Sequence, residues 1–160
     1  MTIQVGDTMP SGAFKIMTAE GPKELTTAQL FDGKQVMLVS VPGAFTPTCD
    51  SKHLPGYIKQ ASALKAKGID TIAFMAVNDV FVMNAWGKSA NVGDAILMLA
   101  DGNGDYVKAL GLELDARGFG MGERGQRFSI IVDKGVVKQL NVEPPGQFNV
   151  STAECALGQL

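Results

Sequence analysis

Short apolar runs rich in β-branched residues alternate along this chain with longer amphipathic stretches, and no other feature limits the fold as much. The runs are Ala13–Met17, Val36–Val41, Ile69–Val77, Ile96–Ala100, Phe128–Val132 and Val136–Val142, bounded by Gly, Pro and Asp, as strands are. Cys49–Lys67 reads as the longest helix. It carries Leu54, Ile58, Ala61 and Leu64 or Lys65 on one face, and Gly68 stops it. Pro55 inside it should kink it, since proline lacks the donor and clashes with the preceding turn. Asp79–Ser89 reads as a second helix with Phe81, Val82, Ala85 and Trp86 inward, and Asp105–Leu110 as a third. Ser151–Leu160 closes the chain behind a capping box from Ser151 to Glu154. Asp133-Lys134-Gly135 marks a hairpin between the last two strands.

Strand-helix alternation implies parallel pairing around Val36–Val41, and the late hairpin adds antiparallel strands. The expected fold is therefore α/β, a central mixed sheet flanked by helices, which is a thioredoxin-like layout. With no repeat, low-complexity tract or linker, residues 1–160 read as one such domain.

Composition removes several classes of function. Lys and Arg number 14 against 16 Asp and Glu, so no basic stripe invites nucleic acid. No apolar run approaches the ~20 residues that span a bilayer, so no membrane partner is expected. Met1–Met9 lacks the basic head and apolar stretch of an export signal, from which a cytoplasmic location is expected. Two cysteines and one histidine make neither a disulfide framework nor a zinc cluster. Asp101–Asp105 lacks the further ligands of a calcium loop. Gly118-x-Gly-x-Gly122 follows no clear strand and opens no clear helix. No metal or cofactor is expected.

The informative segment is Val41-Pro42-Gly43-Ala44-Phe45-Thr46-Pro47-Thr48-Cys49, where a buried strand passes into a helix. Thr46 suits the N-cap and Pro47 the first helical position. Cys49 then lies in the first turn, facing unpaired N–H groups and the positive end of the helix dipole, and both favour thiolate over thiol. A lone cysteine is ordinarily small core filler, but a strand-to-helix turn after Thr-Pro-Thr is a poor place for that role. Neither Thr46 nor Lys52 is a cysteine, so there is no Cys-x-x-Cys and no local disulfide, which counts against a thiol–disulfide reductase. Attack on a peroxide O–O bond suits the arrangement, with sulfenic acid as the product. That transition state needs fixed donors: the Cys49 amide, the Thr46 hydroxyl and a guanidinium. Of Arg117, Arg124 and Arg127, the last heads a buried strand, where a permanent charge demands a partner. Arg117 and Arg124 read as solvated loop charges. His53, one turn beyond Cys49, reads as a packing or hydrogen-bonding group rather than a base.

These residues resemble the peroxiredoxins, specifically the peroxiredoxin-5 (type II) subfamily. The likeness is carried by Pro42-x-x-x-Thr46-x-x-Cys49 and by His53-Leu54-Pro55-Gly56-Tyr57. Val77-Asn78-Asp79-x-Phe81-Val82-Met83, Arg127-Phe128-Ser129 and Asn141-Val142-Glu143-Pro144 follow in the same order. The resemblance implies a thiol peroxidase acting on hydrogen peroxide, alkyl hydroperoxides and peroxynitrite. It makes Cys49 the peroxidatic cysteine, Thr46 the residue that orients peroxide, and Pro42 the shield of the sulfur. Arg127 becomes the stabilising cation, and Gly43 and Phe45 shape the pocket. It also implies a homodimer. Relatives with a resolving cysteine place it where this chain has Ser151 or Phe74. Cys155 matches neither and reads as a packed helix thiol. A one-cysteine cycle follows, with glutathione and glutaredoxin, or thioredoxin, as reductant. The competing reading is a redox sensor whose Cys49 oxidation alters a partner contact.

Overall fold

The computed structural model describes Met1–Leu160. In chain order the elements are β1 (Ala13–Thr18), β2 (Gly21–Thr26), α1 (Thr27–Phe31), β3 (Gln35–Ser40), a π turn (Cys49–His53) and α2 (Leu54–Ala66). There follow β4 (Thr71–Ala76), α3 (Val80–Ser89), β5 (Leu97–Ala100), α4 (Asp105–Leu110), β6 (Glu113–Asp115), β7 (Glu123–Gly125), β8 (Phe128–Asp133), β9 (Val136–Val142) and α5 (Ala153–Gly158). Seven strands form one mixed sheet in the order β2-β1-β5-β4-β3-β8-β9, and β6 and β7 form a separate hairpin. The strands β3, β4 and β5 run parallel, while β8 lies antiparallel to β3. This is the mixed, helix-flanked sheet that the alternation of apolar runs implies.

The interior strand β3 feeds two cores because successive side chains point to opposite faces. Met37 and Val39 join Cys49, Leu54, Tyr57, Leu64 and Trp86 beneath α2, α3 and α5. Val36 and Leu38 join Phe14, Phe31, Tyr106, Val107 and Phe128 on the face covered by α1 and α4. Each buried Val, Leu or Phe contributes roughly 1.5–3 kcal/mol relative to exposure. A strand buried on both faces is therefore a rigid base for the loop that leaves its end.

Several local expectations change. The strand β2, Gly-Pro-Lys-Glu-Leu-Thr, has no apolar run to reveal it. It is an edge strand, and proline and charge are what edges use to resist further pairing. Helix α1 is set by a capping box between Thr26 and Gln29 rather than by a long periodic pattern. The strand β6 does precede the glycine segment, but a hairpin to β7 with one 3₁₀ turn offers no helix start for a dinucleotide.

The buried face of α3 is Val80, Met83, Trp86 and Gly87, and Phe81 is 63% exposed. The Asp79 carboxylate accepts from Val82 N and fixes the helix phase, so of the four inward residues expected only Trp86 is buried. A Cβ on Gly87 would lie 2.9 Å from Met98 Cγ, so glycine permits the close packing of α3 on β5. Helix α5 begins at Ala153 with Thr152 as cap, because the Ser151 hydroxyl is donated to Glu143 instead. The last two strands are joined by Lys134 and Gly135 at φ 51° and 84°, the two left-handed residues of a tight hairpin turn.

Candidate active site

The chain leaves β3 through Val41, whose amide donates to Met75 O, and turns into a loop held from three sides. Asn78 Oδ1 accepts from Ala44 N at 2.9 Å. Arg124 Nη1 approaches Pro42 O at 3.4 Å and its Nε donates to Met121 O at 2.8 Å. Thr46 donates its hydroxyl to Gly43 O at 2.7 Å. Arg124 is thus a brace of this loop and not a solvated charge. Sequence spacing could not reveal that, because β6 and β7 fold it back over the loop. Arg117, by contrast, pairs with Asp115 on the surface. A Cβ on Gly43 would lie 3.1 Å from both Arg124 Nη1 and Thr46 Cγ2, which explains glycine there. Phe45 takes φ 63°, a strained value for a bulky residue, and lies 47% exposed with its ring 6.4 Å from Trp86.

Helical structure starts at Pro47, with Thr46 in the capping position and its carbonyl accepting from Asp50 N at 2.8 Å. The Thr46 side chain does not cap. Its single proton goes back to Gly43 O, so the hydroxyl presents acceptor lone pairs and not a donor. The expected helix over Cys49–Lys67 opens as a π turn, in which Leu54 N donates to Cys49 O. Pro55 then sits at the start of α2, where its missing N–H matters least. The wider turn absorbs the proline that would otherwise kink the helix. Trp86 Nε1 donates to Asp50 Oδ1 at 2.9 Å and ties this turn to α3.

Cys49 is fully buried. The side chain sits in the core cluster with Val41, Leu54 and Trp86. Arg127 Nη2 donates to its Sγ at 2.9 Å, and Arg127 Nη1 lies 2.7 Å from His53 Nδ1. Arg127 makes no salt bridge, so its charge is shared between a sulfur and a ring nitrogen. The Phe148 ring lies 5.8 Å from its Cζ and adds a cation–π contact. His53 Nε2 lies 3.0 Å from Ser151 O, and Tyr57 donates its hydroxyl to the same carbonyl at 2.8 Å. Burial first, and the Arg127 charge second, push the His53 pKa down to about 3, so the ring is neutral. Glu143 Oε2 accepts from the amides of Asn149, Val150 and Ser151 and from the Ser151 hydroxyl. Burial works to raise the Glu143 pKa, but these four bonds outweigh it and hold it below the ordinary carboxylate value.

Pro42, Thr48 and Arg127 also border a cavity of about 310 Å³ that Glu143 and Pro144 help to line. The positions that could have held a second reacting sulfur are occupied differently. Phe74 is core, and Ser151 is buried against Tyr57 and His53. Cys155 is only half-buried and donates its thiol to Asn149 O, so it is less packed than expected. Both cysteines are free. Asn78, Glu143 and Ser151 support the site, although the sequence suggests no role for the first two and only a helix cap for Ser151. Their neighbours Val77-Asn78-Asp79 and Asn141-Val142-Glu143-Pro144 were the signal available.

A buried cysteine at a strand-to-helix turn, faced by an arginine on the adjoining strand of a mixed sheet, defines a redox protein of thioredoxin-like fold. The Redoxin family pattern matches residues 4–157. Peroxiredoxin-2C of Oryza sativa subsp. japonica is 48% identical over 95% of this chain and 94% of its own length. The structure of reduced Prx3 from Vibrio vulnificus in complex with H₂O₂ superimposes with a TM-score of 0.95 at 53% identity, covering 98% of each chain. Peroxiredoxin 5 from Alvinella pompejana gives a TM-score of 0.87 at 34% identity, covering 98% of this chain and 97% of its own. The chain belongs to the Redoxin family and is a peroxiredoxin, a thiol peroxidase.

Proposed function

We propose that Cys49 is the peroxidatic residue, that it passes through a sulfenic acid, and that an external thiol returns it in a one-cysteine cycle. The observation that carries this reading is the Arg127 Nη2 contact to Cys49 Sγ at 2.9 Å, a fixed cation on the one sulfur at the helix start. Hydrogen peroxide and alkyl hydroperoxides are the substrates. The Vibrio vulnificus relative, whose structure holds H₂O₂, supports the first of these.

Peroxide enters from the cavity bordered by Pro42, Thr48 and Arg127. Because the sulfur is buried, the last approach needs a small displacement of the Pro42–Thr48 loop. The Thr46 lone pairs accept the peroxide O–H while its own proton stays on Gly43 O, which orients the O–O bond. The Cys49 thiolate attacks one oxygen, the S–O bond forms and the O–O bond breaks. The other oxygen leaves with the electron pair as hydroxide or alkoxide and takes a proton from solvent to become water or alcohol. Arg127 and the first-turn amides stabilise charge spread over sulfur and both oxygens. Pro42 keeps water from the sulfur, and Gly43 and Phe45 shape the entrance. Glutathione then condenses with the sulfenic acid, releasing water and leaving a mixed disulfide. Glutaredoxin, or thioredoxin, reduces it and frees the thiolate. The reading includes a homodimer, which would cover the exposed rings of Phe45, Phe81 and Phe119.

Mass spectrometry of peroxide-treated protein with glutathione tests the cycle. A glutathione adduct on Cys49 is expected. A Cys49–Cys155 bridge would replace it with an internal route, and single oxidation without turnover would favour a sensor.

A further inference from the structure

Arg127 has no carboxylate to hold it. A guanidinium at the end of a long rotatable side chain will not stay within 2.9 Å of a sulfur by that contact alone, because ordering such a side chain costs on the order of 1–2 kcal/mol. Its other hydrogen bond is therefore decisive, since the Phe148 ring meets the face of the guanidinium and does not fix its rotation in plane. His53 Nδ1 lies 2.7 Å from Arg127 Nη1, and guanidinium can only donate, so Nδ1 must be the acceptor with a free lone pair. The ring proton then resides on Nε2, which faces Ser151 O at 3.0 Å, and a carbonyl can only accept. The two contacts admit one tautomer.

We propose that His53 is a positioning residue of this site, held as the neutral Nε2–H tautomer by the Ser151 carbonyl so that its Nδ1 sets Arg127 on Cys49. The inference rests on the reading of Cys49 as the reacting sulfur. The ring is fully buried and packed by Tyr57, Phe74 and Phe148, with centroid separations of 5.6, 5.5 and 4.9 Å, so it cannot turn to offer another edge. Its anchor is fixed in turn, since the Ser151 amide and hydroxyl both donate to Glu143 Oε2 at 2.8 Å. The segment Glu143–Ser151 thereby sets the guanidinium from a region remote in sequence from both Cys49 and Arg127. The ionised Glu143 and the cation of Arg127 are the charged groups acting on the ring. Burial together with Arg127 keeps it neutral against the carboxylate.

The test has two arms. His53 is the only histidine, so its ¹⁵N imidazole signals need no further assignment. The expected spectrum has a protonated Nε2 and an unprotonated Nδ1 from about pH 5.5 to about pH 8. An imidazolium or the Nδ1–H tautomer in that range overturns the proposal, whatever the activity. The second arm compares His53→Asn, whose Oδ1 replaces the Nδ1 acceptor, with His53→Gln, which reaches Ser151 O but offers Arg127 nothing. Provided both retain cooperative melting, Asn should exceed Gln in peroxide rate by at least about fivefold. Equal rates overturn the proposal. If Asn does not fold, Arg127→Gln decides, because an unshifted Nδ1 resonance in that variant would show that no such contact existed. If the wild type consumes no peroxide while the tautomer is as expected, the peroxidase reading of Cys49 fails and the hydrogen-bond assignment stands.

Discussion

Arg127 at the head of β8 places its Nη2 2.9 Å from Sγ of Cys49, across a sequence separation of 78 residues. The two meet because β8 pairs antiparallel with β3, bringing Phe128 opposite Ser40 at the end of the strand that launches the Cys49 loop. Arg127→Gln removes the charge while keeping a polar side chain. The peroxide rate of this variant should fall about 100-fold or more, read by single-turnover oxidation of Cys49. Arg127→Lys keeps charge but cannot hold sulfur and ring nitrogen together with a planar fork, and should recover only part of the loss.

Thr46→Val conserves shape and deletes the hydroxyl that bonds Gly43 O. The rate should drop about tenfold or more, whereas Thr46→Ser should stay within about threefold of wild type. Similar rates for Val and Ser would remove Thr46 from peroxide orientation.

Acid should weaken this fold through His53. A histidine whose folded pKa is depressed to about 3 binds its proton more readily when unfolded, where about 6.5 is normal. The stability the neutral ring contributes is thus fully present above about pH 6.5 and is lost progressively as pH falls from there toward about pH 3. Urea midpoints measured across that interval should decline more steeply for wild type than for His53→Asn. Parallel declines would assign the acid sensitivity elsewhere.

Cys155→Ser should keep peroxide turnover with glutathione and glutaredoxin within about twofold of wild type, and Cys49→Ser should abolish it. Loss of turnover in the folded Cys155 variant would give that thiol, now bonded to Asn149 O, a part in the cycle.

The strand-helix order, the buried strand that ends at Val41 and Cys49 at the opening of a helix were all legible in the residues. Apolar periodicity and Thr-Pro-Thr-Cys act locally, and nothing distant has to be known to read them. The edge strand β2 was not legible, because its charge and proline serve to prevent pairing, and pairing is what apolar pattern reports. The phase of α3 was misread because one carboxylate, Asp79, sets it. The side-chain partners belong to tertiary structure entirely. That Arg124 braces Pro42, that Thr46 turns its proton to Gly43, and that Glu143, Ser151 and His53 line up behind Arg127 depends on strands and loops far apart in the chain. Sequence by itself determined which groups this protein has for its chemistry. Only the folded sheet decided which of them touch, because a hydrogen bond is made within about 3 Å and no local pattern specifies position that finely.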